Sequence, residues 1–124
     1  MAEPFAEALR LQREAAQEGF DWTNPQDLWD KLAEEIGELR EAGDAASRQE
    51  ELGDLLFMVV NLSRHLGVDP AAALQAANTK FSRRYGLIIE HLAQLPPLGD
   101  PARLEAMERL WQQAKARDQY KKTG

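Results

Sequence analysis

The sequence has no cysteine among its 124 residues and no long run of apolar residues. The absence of cysteine excludes disulfides, thiolate nucleophiles and cysteine-ligated zinc. The longest apolar run, Leu55–Val60, is far shorter than the ~20 residues that span a bilayer. The N-terminal stretch also lacks the basic segment and apolar segment of a secretory signal. We therefore expect a cytoplasmic protein that does not act at a membrane.

Basic residues are scarce relative to acidic ones, with 15 Lys and Arg against 21 Asp and Glu and a net charge of −6. A nucleic-acid binder needs a basic surface to neutralise phosphates, so we expect no nucleic-acid partner. The negative net charge does not exclude a small phosphorylated substrate, because a bound metal ion reverses the local charge. The hydrophobic content of 44% and charged content of 29% are those of an ordinary globular domain.

Helix-start signals recur along the chain, and no sustained alternation of apolar and polar residues appears. Proline follows an acidic residue or an asparagine at four places, as at the first position of a helix. Between these signals apolar residues recur at spacings of three and four. The pattern predicts an all-α fold, a helical bundle of about five helices that forms a single domain over residues 1–124.

The predicted helices cover about residues 4–18, 25–42, 47–66, 70–94 and 101–120, followed by a polar tail. We expect Gly43 to end the second helix and Gly67 to end the third. A capping box formed by Ser47 and Glu50 is expected to open the third helix. That helix is apolar on nearly all sides, which indicates burial. The residues expected to form its inward arc are Leu52, Leu55, Leu56, Val59, Val60 and Leu66.

Two acidic motifs occupy the second and third helices, Glu34-Glu35-x-x-Glu38 and Glu51-x-x-Asp54. On a helical wheel Glu35 falls within the apolar stripe or at its edge, and Glu38 flanks that stripe. Each motif contains an i,i+3 pair on one helix face, where like charges repel unless a cation lies between them. Oxygen donors without Cys or His nearby suit Mg²⁺, or Mn²⁺, better than zinc. A solvated acidic face is the alternative that the residues alone leave open.

Two further pairs lie at i,i+4 spacing later in the chain. Lys80 and Arg84 project from one face of the fourth helix, with Arg83 adjacent, and suit an anionic ligand. Trp111 and Lys115 repeat this spacing on the last helix. A solvated basic face and an ordinary core tryptophan remain the alternatives for these two pairs.

The segments KLAEEIGELREA, EELGDLLFMVVNLSRHLGVDP, AANTKFSRRY and LEAMERLWQQAK together resemble the MazG family of nucleoside triphosphate pyrophosphohydrolases. This family belongs to the all-α nucleotide pyrophosphatase superfamily, and the resemblance extends over about residues 29–115. It implies Mg²⁺-dependent hydrolysis of nucleoside triphosphates to a monophosphate and pyrophosphate. It also implies a house-cleaning role on standard or modified nucleotides, and at least a homodimer.

The resemblance assigns roles to individual residues. It implies that the metal is bound by Glu35, Glu38, Glu51 and Asp54. Glu34, with Glu38, is then a candidate catalytic group that orients or deprotonates the attacking water. The implied substrate-binding residues are Asn78, Lys80, Arg83, Arg84, Trp111 and Lys115.

Two other functions compete with this interpretation. Related branches of the superfamily act on dUTP or dCTP, so the base preference is open. A non-catalytic helical module that binds a partner through an apolar face is the alternative from a different class. Oligomerisation is expected under both hypotheses, because nearly all-round apolar helices need cover.

Overall fold

The computed structural model describes the backbone of residues 3–123 and the side chains of residues 3–119. It contains five α-helices and one 3₁₀ turn: α1 (Pro4–Gln17), α2 (Pro25–Glu41), α3 (Ala45–His65), α4 (Pro70–Glu90), the 3₁₀ turn (Leu92–Gln94) and α5 (Pro101–Thr123). No strand occurs in this described range, which confirms the predicted all-α class. Within the same range no helix combines the length and apolarity needed to cross a membrane.

Internal contacts divide the chain into two compact units, Met1–Leu74 and Gln75–Gly124. In the first unit α3 packs along α2 and against α1. The second unit contains most of α4 and all of α5, which are joined by side-chain contacts. That the whole chain forms one domain stays a prediction.

The predicted helix starts at Pro4, Pro25 and Pro101 are confirmed by their capping contacts. The side chain of Glu3 accepts hydrogen bonds from two backbone N–H groups of the first turn of α1, at 3.0 and 2.9 Å. Asn24 and Asp100 each accept one from the N–H two residues further on, at 3.0 and 2.9 Å. Each contact satisfies a backbone donor that has no partner within its helix.

The predicted turn between α2 and α3 is wrong at the start of α3. α3 begins at Ala45, because Asp44 rather than Ser47 is its N-cap. The Ser47 N–H donates to Asp44 Oδ1 at 2.8 Å, and this bond lowers the pKa of Asp44 below its ordinary value. The end of α2 agrees with the prediction: Ala42 caps the helix in an extended conformation, with φ −65° and ψ 124°, and Gly43 follows it without a positive φ. The turn therefore needs no glycine conformation at Gly43.

The end of α3 agrees with the prediction, whereas the ends of α4 and α5 differ from it. Gly67 terminates α3 with φ +72°, as predicted. α4 ends at Glu90, earlier than expected, and the 3₁₀ turn follows. α5 continues to Thr123 where a polar tail was predicted, and Gly124 lies outside the described residues.

The buried core of the first unit is small. Leu28 and Val60 are each 1% exposed, and Leu9 and Met58 are also buried. Much of the arc of α3 that was predicted to face inward is instead exposed, namely Leu52, Leu56, Val59 and Leu66. Periodicity identifies an apolar face, but it does not determine whether the same chain covers that face.

Candidate functional site

Three carboxylates form an acidic cluster where α2 and α3 pack together. Glu35, Glu38 and Glu51 each offer an oxygen within 4.8 Å of the other two. Glu35 and Glu38 share one face of α2 because they lie three residues apart. The packing of α3 along α2 adds Glu51 to this pair.

Two oxygens of the acidic cluster are buried without a partner. Glu35 is 6% exposed, and its Oε2 atom and Glu51 Oε2 have no hydrogen-bond partner among the described residues. A buried carboxylate oxygen in this state is costly, and a cation relieves the cost. All three side chains offer a carboxylate oxygen as a ligand, so the acidic cluster fits a hard divalent cation.

Lys31 is a cation beside the acidic cluster on α2. Its Nζ lies 3.3 Å from Glu34 Oε1 and 3.4 Å from Glu35 Oε1. Hydrogen bonds to Glu34 and then Glu35 raise the pKa of Lys31 above its ordinary value. One oxygen of Glu35 is thus paired while the other is not. Lys31 had no predicted role, although its spacing from both glutamates signals the contact.

A groove of about 580 Å³ opens beside the acidic cluster, and Glu34, Glu38 and Glu51 line it. Asp54 is exposed, one turn after Glu51 on α3, and is not one of the three clustered carboxylates. The structure therefore brings together three of the four predicted metal ligands. That these residues bind a metal stays a prediction.

In the second unit, a carboxylate of α5 holds the two predicted arginines of α4. Asp118 accepts hydrogen bonds from Arg83 at 3.0 and 2.8 Å and from Arg84 at 2.8 Å. These bonds, those from Arg83 first, hold the pKa of Asp118 well below its usual range. The sequence offered no short-range signal for Asp118, because 34 and 35 residues separate it from its partners.

Trp111 lies against the same face of α4. Its ring centroid is 5.3 Å from that of Phe81, and the Arg84 guanidinium carbon lies 5.8 Å from the Trp111 ring centroid. That distance is within the range of a cation–π contact. The structure thus brings together Arg83, Arg84 and Trp111.

The remaining predicted substrate-binding residues are not part of this group. Asn78 and Lys80 are exposed on α4, and Lys115 is partly buried on α5. Within the described side chains none of the three forms a hydrogen bond or an ion pair. Their polar groups are therefore available to a ligand.

Comparison with known protein families decides the relationship. The model of the MazG nucleotide pyrophosphohydrolase domain matches residues 23–87, just over half of the chain. The chain belongs to the MazG family. This result confirms the resemblance predicted from the acidic and basic motifs, both of which lie inside the matched residues. Trp111, Lys115 and Asp118 lie beyond the matched range.

Two bacterial proteins are similar to this MazG-family chain. A Thermotoga maritima protein named nucleoside triphosphate pyrophosphohydrolase/pyrophosphatase MazG is 41% identical over 112 residues. An Escherichia coli K12 protein named nucleoside triphosphate pyrophosphohydrolase is 43% identical over 116 residues. Each alignment covers 90% of this chain and 44% of the relative. The chain therefore spans less than half the length of these relatives.

Proposed function

We propose that this MazG-family chain hydrolyses nucleoside triphosphates between the α- and β-phosphates. Water is consumed, and a nucleoside monophosphate and pyrophosphate are released. The names of the two similar proteins support this reaction. The observation that carries the proposal is the acidic cluster, in which Glu35 and Glu51 each hold a buried oxygen without a partner.

The proposed cofactor is Mg²⁺, with Mn²⁺ as the alternative. Glu35, Glu38 and Glu51 would hold the ion, and Asp54 would join them from its exposed position one turn further along α3. When bound, a divalent cation offsets the charge of phosphate oxygens and polarises water for attack. A donor set made only of carboxylate oxygens supports a hard cation of this kind.

Glu34 is the proposed proton acceptor. Its side chain is 57% exposed and lines the groove beside the acidic cluster, where water has access. Lys31 contacts Glu34 and Glu35, so it restrains Glu34 while offsetting part of the negative charge. We assign Glu38 both roles, as a metal ligand and as a catalytic group that helps to orient the water.

The six residues of α4 and α5 are proposed to bind the substrate. Lys80, Arg84 and Lys115 carry the positive charge that phosphate oxygens require. The contacts of Arg84 with Asp118 and Trp111 support this role, because they restrict the orientations of the guanidinium before a ligand arrives. Arg83, Asn78 and Trp111 complete the proposed set.

We further propose a cytoplasmic house-cleaning enzyme that acts on standard or modified nucleotides as a homodimer or larger homo-oligomer. The exposed apolar residues of α3, Leu52, Leu56 and Val59, support self-association, because a second copy would remove them from water. Sedimentation velocity tests this part. A chain that sediments as a monomer at micromolar concentration would contradict it.

Pyrophosphate release tests the reaction itself. Purified protein with Mg²⁺ should convert a nucleoside triphosphate to monophosphate and pyrophosphate. Glu38→Gln should lower the rate about 100-fold or more, because it removes a ligand and a catalytic group together. Asp54→Asn tests the fourth ligand in the same way. Glu50→Gln is the matched control, since Glu50 is an exposed glutamate outside the acidic cluster.

Two outcomes would contradict the proposal. Normal turnover by Glu38→Gln would remove the acidic cluster from the reaction. An absence of pyrophosphate across purine, pyrimidine and modified triphosphates would favour the non-catalytic helical module.

A further inference from the structure

A second concave site lies in the first unit, between α1, the connector that follows it and α3. Its volume is about 430 Å³. The lining combines apolar and aromatic side chains with polar ones: Leu11, Ala15, Phe20, Trp22 and Phe57, together with Gln12, Asp21, Asn61 and Arg64. This size and this mixture are typical of small-molecule pockets. None of the predicted site residues lines this cavity.

The polar wall of the cavity is organised by Arg64. Its guanidinium donates to both carboxylate oxygens of Asp21, at 2.8 and 2.7 Å, in a bidentate pair. The same group donates to Asn61 Oδ1 at 2.9 Å and to Gln12 Oε1 at 3.4 Å. Arg64 holds the pKa of Asp21 well below its usual range, so the pair stays ionised. Since the two charges cancel, this wall offers hydrogen bonds without a net charge.

Asn61 retains donor capacity inside this wall. Its side chain is buried, with 6% of the residue exposed. Its amide oxygen accepts from Arg64, whereas its amide nitrogen contacts only Met58 Sδ, at 3.6 Å. A thioether is a weak acceptor. A ligand with a carbonyl or ring nitrogen would therefore find a buried donor at the cavity wall.

The cavity continues the face of α3 that carries the second acidic motif. Asp54, Phe57, Asn61 and Arg64 follow one another at steps of three and four, so they share one side of the helix. Phe57 lies six residues after Glu51, about 9 Å along the helix axis. An extended nucleotide covers such a distance between its phosphates and its base.

We propose that this cavity binds the nucleobase of a nucleotide whose phosphates lie at the acidic cluster. For the phosphate end the proposal rests on the proposed function. Phe20, Trp22 and Phe57 offer faces on which a flat heterocycle stacks, and Asn61 donates to an acceptor on its edge. A phosphate is a poor occupant, because Asp21 already pairs with both terminal nitrogens of Arg64 and neutralises its charge.

Phe20 allows a kinetic test without harm to the fold, because it lines the cavity and is 83% exposed. Phe20→Ala should raise the KM for a nucleoside triphosphate about fivefold or more, the loss expected for one stacking contact. Phe20→Tyr keeps an aromatic face and should restore the KM. Leu98→Ala is the matched control, since Leu98 is 84% exposed and does not line the cavity.

A binding measurement tests the cavity independently of turnover. Free purine and pyrimidine nucleosides are added at millimolar concentration to metal-free protein, and the side-chain amide signal of Asn61 is followed by NMR. We expect the nucleosides to shift this signal and inorganic triphosphate to leave it unmoved. A signal that no nucleoside moves, or an unchanged KM for Phe20→Ala, would overturn the proposal.

The results separate the two proposals. If pyrophosphate is released normally but Asn61 does not respond, the base pocket is wrong and the reaction stands. If nucleosides shift Asn61 but no triphosphate is hydrolysed, the pocket stands and the proposed function fails.

Discussion

Replacing Glu51 by glutamine should change stability in opposite directions without and with Mg²⁺. In metal-free protein the substitution removes one of three clustered negative charges and one buried oxygen that has no partner. A glutamine amide also donates hydrogen bonds, which the remaining carboxylates accept. We therefore expect Glu51→Gln to be more stable than the natural protein in EDTA.

The size of this effect follows from the spacing of the carboxylates. Two unit charges 4.8 Å apart repel by about 3.5 kcal/mol at an effective dielectric constant of ~20. Lys31 offsets part of the charge of Glu35, and water screens the exposed Glu38, so the net gain falls to about 2 kcal/mol. For a chain of this length that gain raises the melting temperature by about 8 °C.

Saturating Mg²⁺ should make the natural protein more stable than Glu51→Gln. A ligand at 100 times its dissociation constant stabilises the folded state by about 2.7 kcal/mol, which corresponds to roughly 10 °C for the natural protein. Glu51→Gln lacks one ligand and one charge, so Mg²⁺ should raise its melting temperature much less. Thermal unfolding followed by far-ultraviolet circular dichroism, in EDTA and in Mg²⁺, measures both differences.

Glu50→Gln is the control for net charge, because it makes the same change one residue earlier on an exposed side chain. We expect it to alter neither the metal-free stability nor the response to Mg²⁺. The reasoning is refuted if Glu51→Gln is no more stable than Glu50→Gln in EDTA. Equal stabilisation of the two variants by Mg²⁺ would refute the assignment of Glu51 as a ligand.

Two further predictions concern parts of the first unit away from the acidic cluster. Asp21→Asn should cost about 2–3 kcal/mol of unfolding free energy at pH 7, because Arg64 loses a charged bidentate partner. Since pairing lowers the pKa of Asp21, its contribution is full above the ordinary value of 3.8 and is lost as pH falls further. Urea unfolding across the acid range should therefore show the natural protein losing its advantage over Asp21→Asn, and a constant difference would contradict the ion pair. Gly67→Ala should destabilise the protein by about 1–2 kcal/mol, because Gly67 has φ +72°. Gly43→Ala should have almost no effect, since Gly43 has no positive φ and open space surrounds its Cβ position; equal losses in the two variants would show this distinction to be wrong.

Most of the helices and the pairing of Glu35 with Glu38 follow from local rules, so they could be predicted before the fold was known. A proline after a capping side chain begins a helix whatever lies across the fold, as at Asn24 and Asp100. Glu35 and Glu38 meet because three residues separate them on one helix. The family follows from the same local motifs. The turn at Asp44 shows where local rules compete: two caps were available, and Asp44 makes the contact instead of Ser47.

Contacts between groups far apart in the sequence depend on how the helices pack, so they could not be predicted from local patterns. The packing of α3 on α2 places Glu51 with the α2 pair and leaves Asp54 exposed. Arg64 pairs with Asp21 across 43 residues, a contact that follows from how α1, its connector and α3 assemble. Periodicity marked the apolar face of α3, but the burial of that face depends on neighbours in space. Local sequence specifies backbone conformation within a few residues, whereas sites and pockets require contacts that only folding brings together.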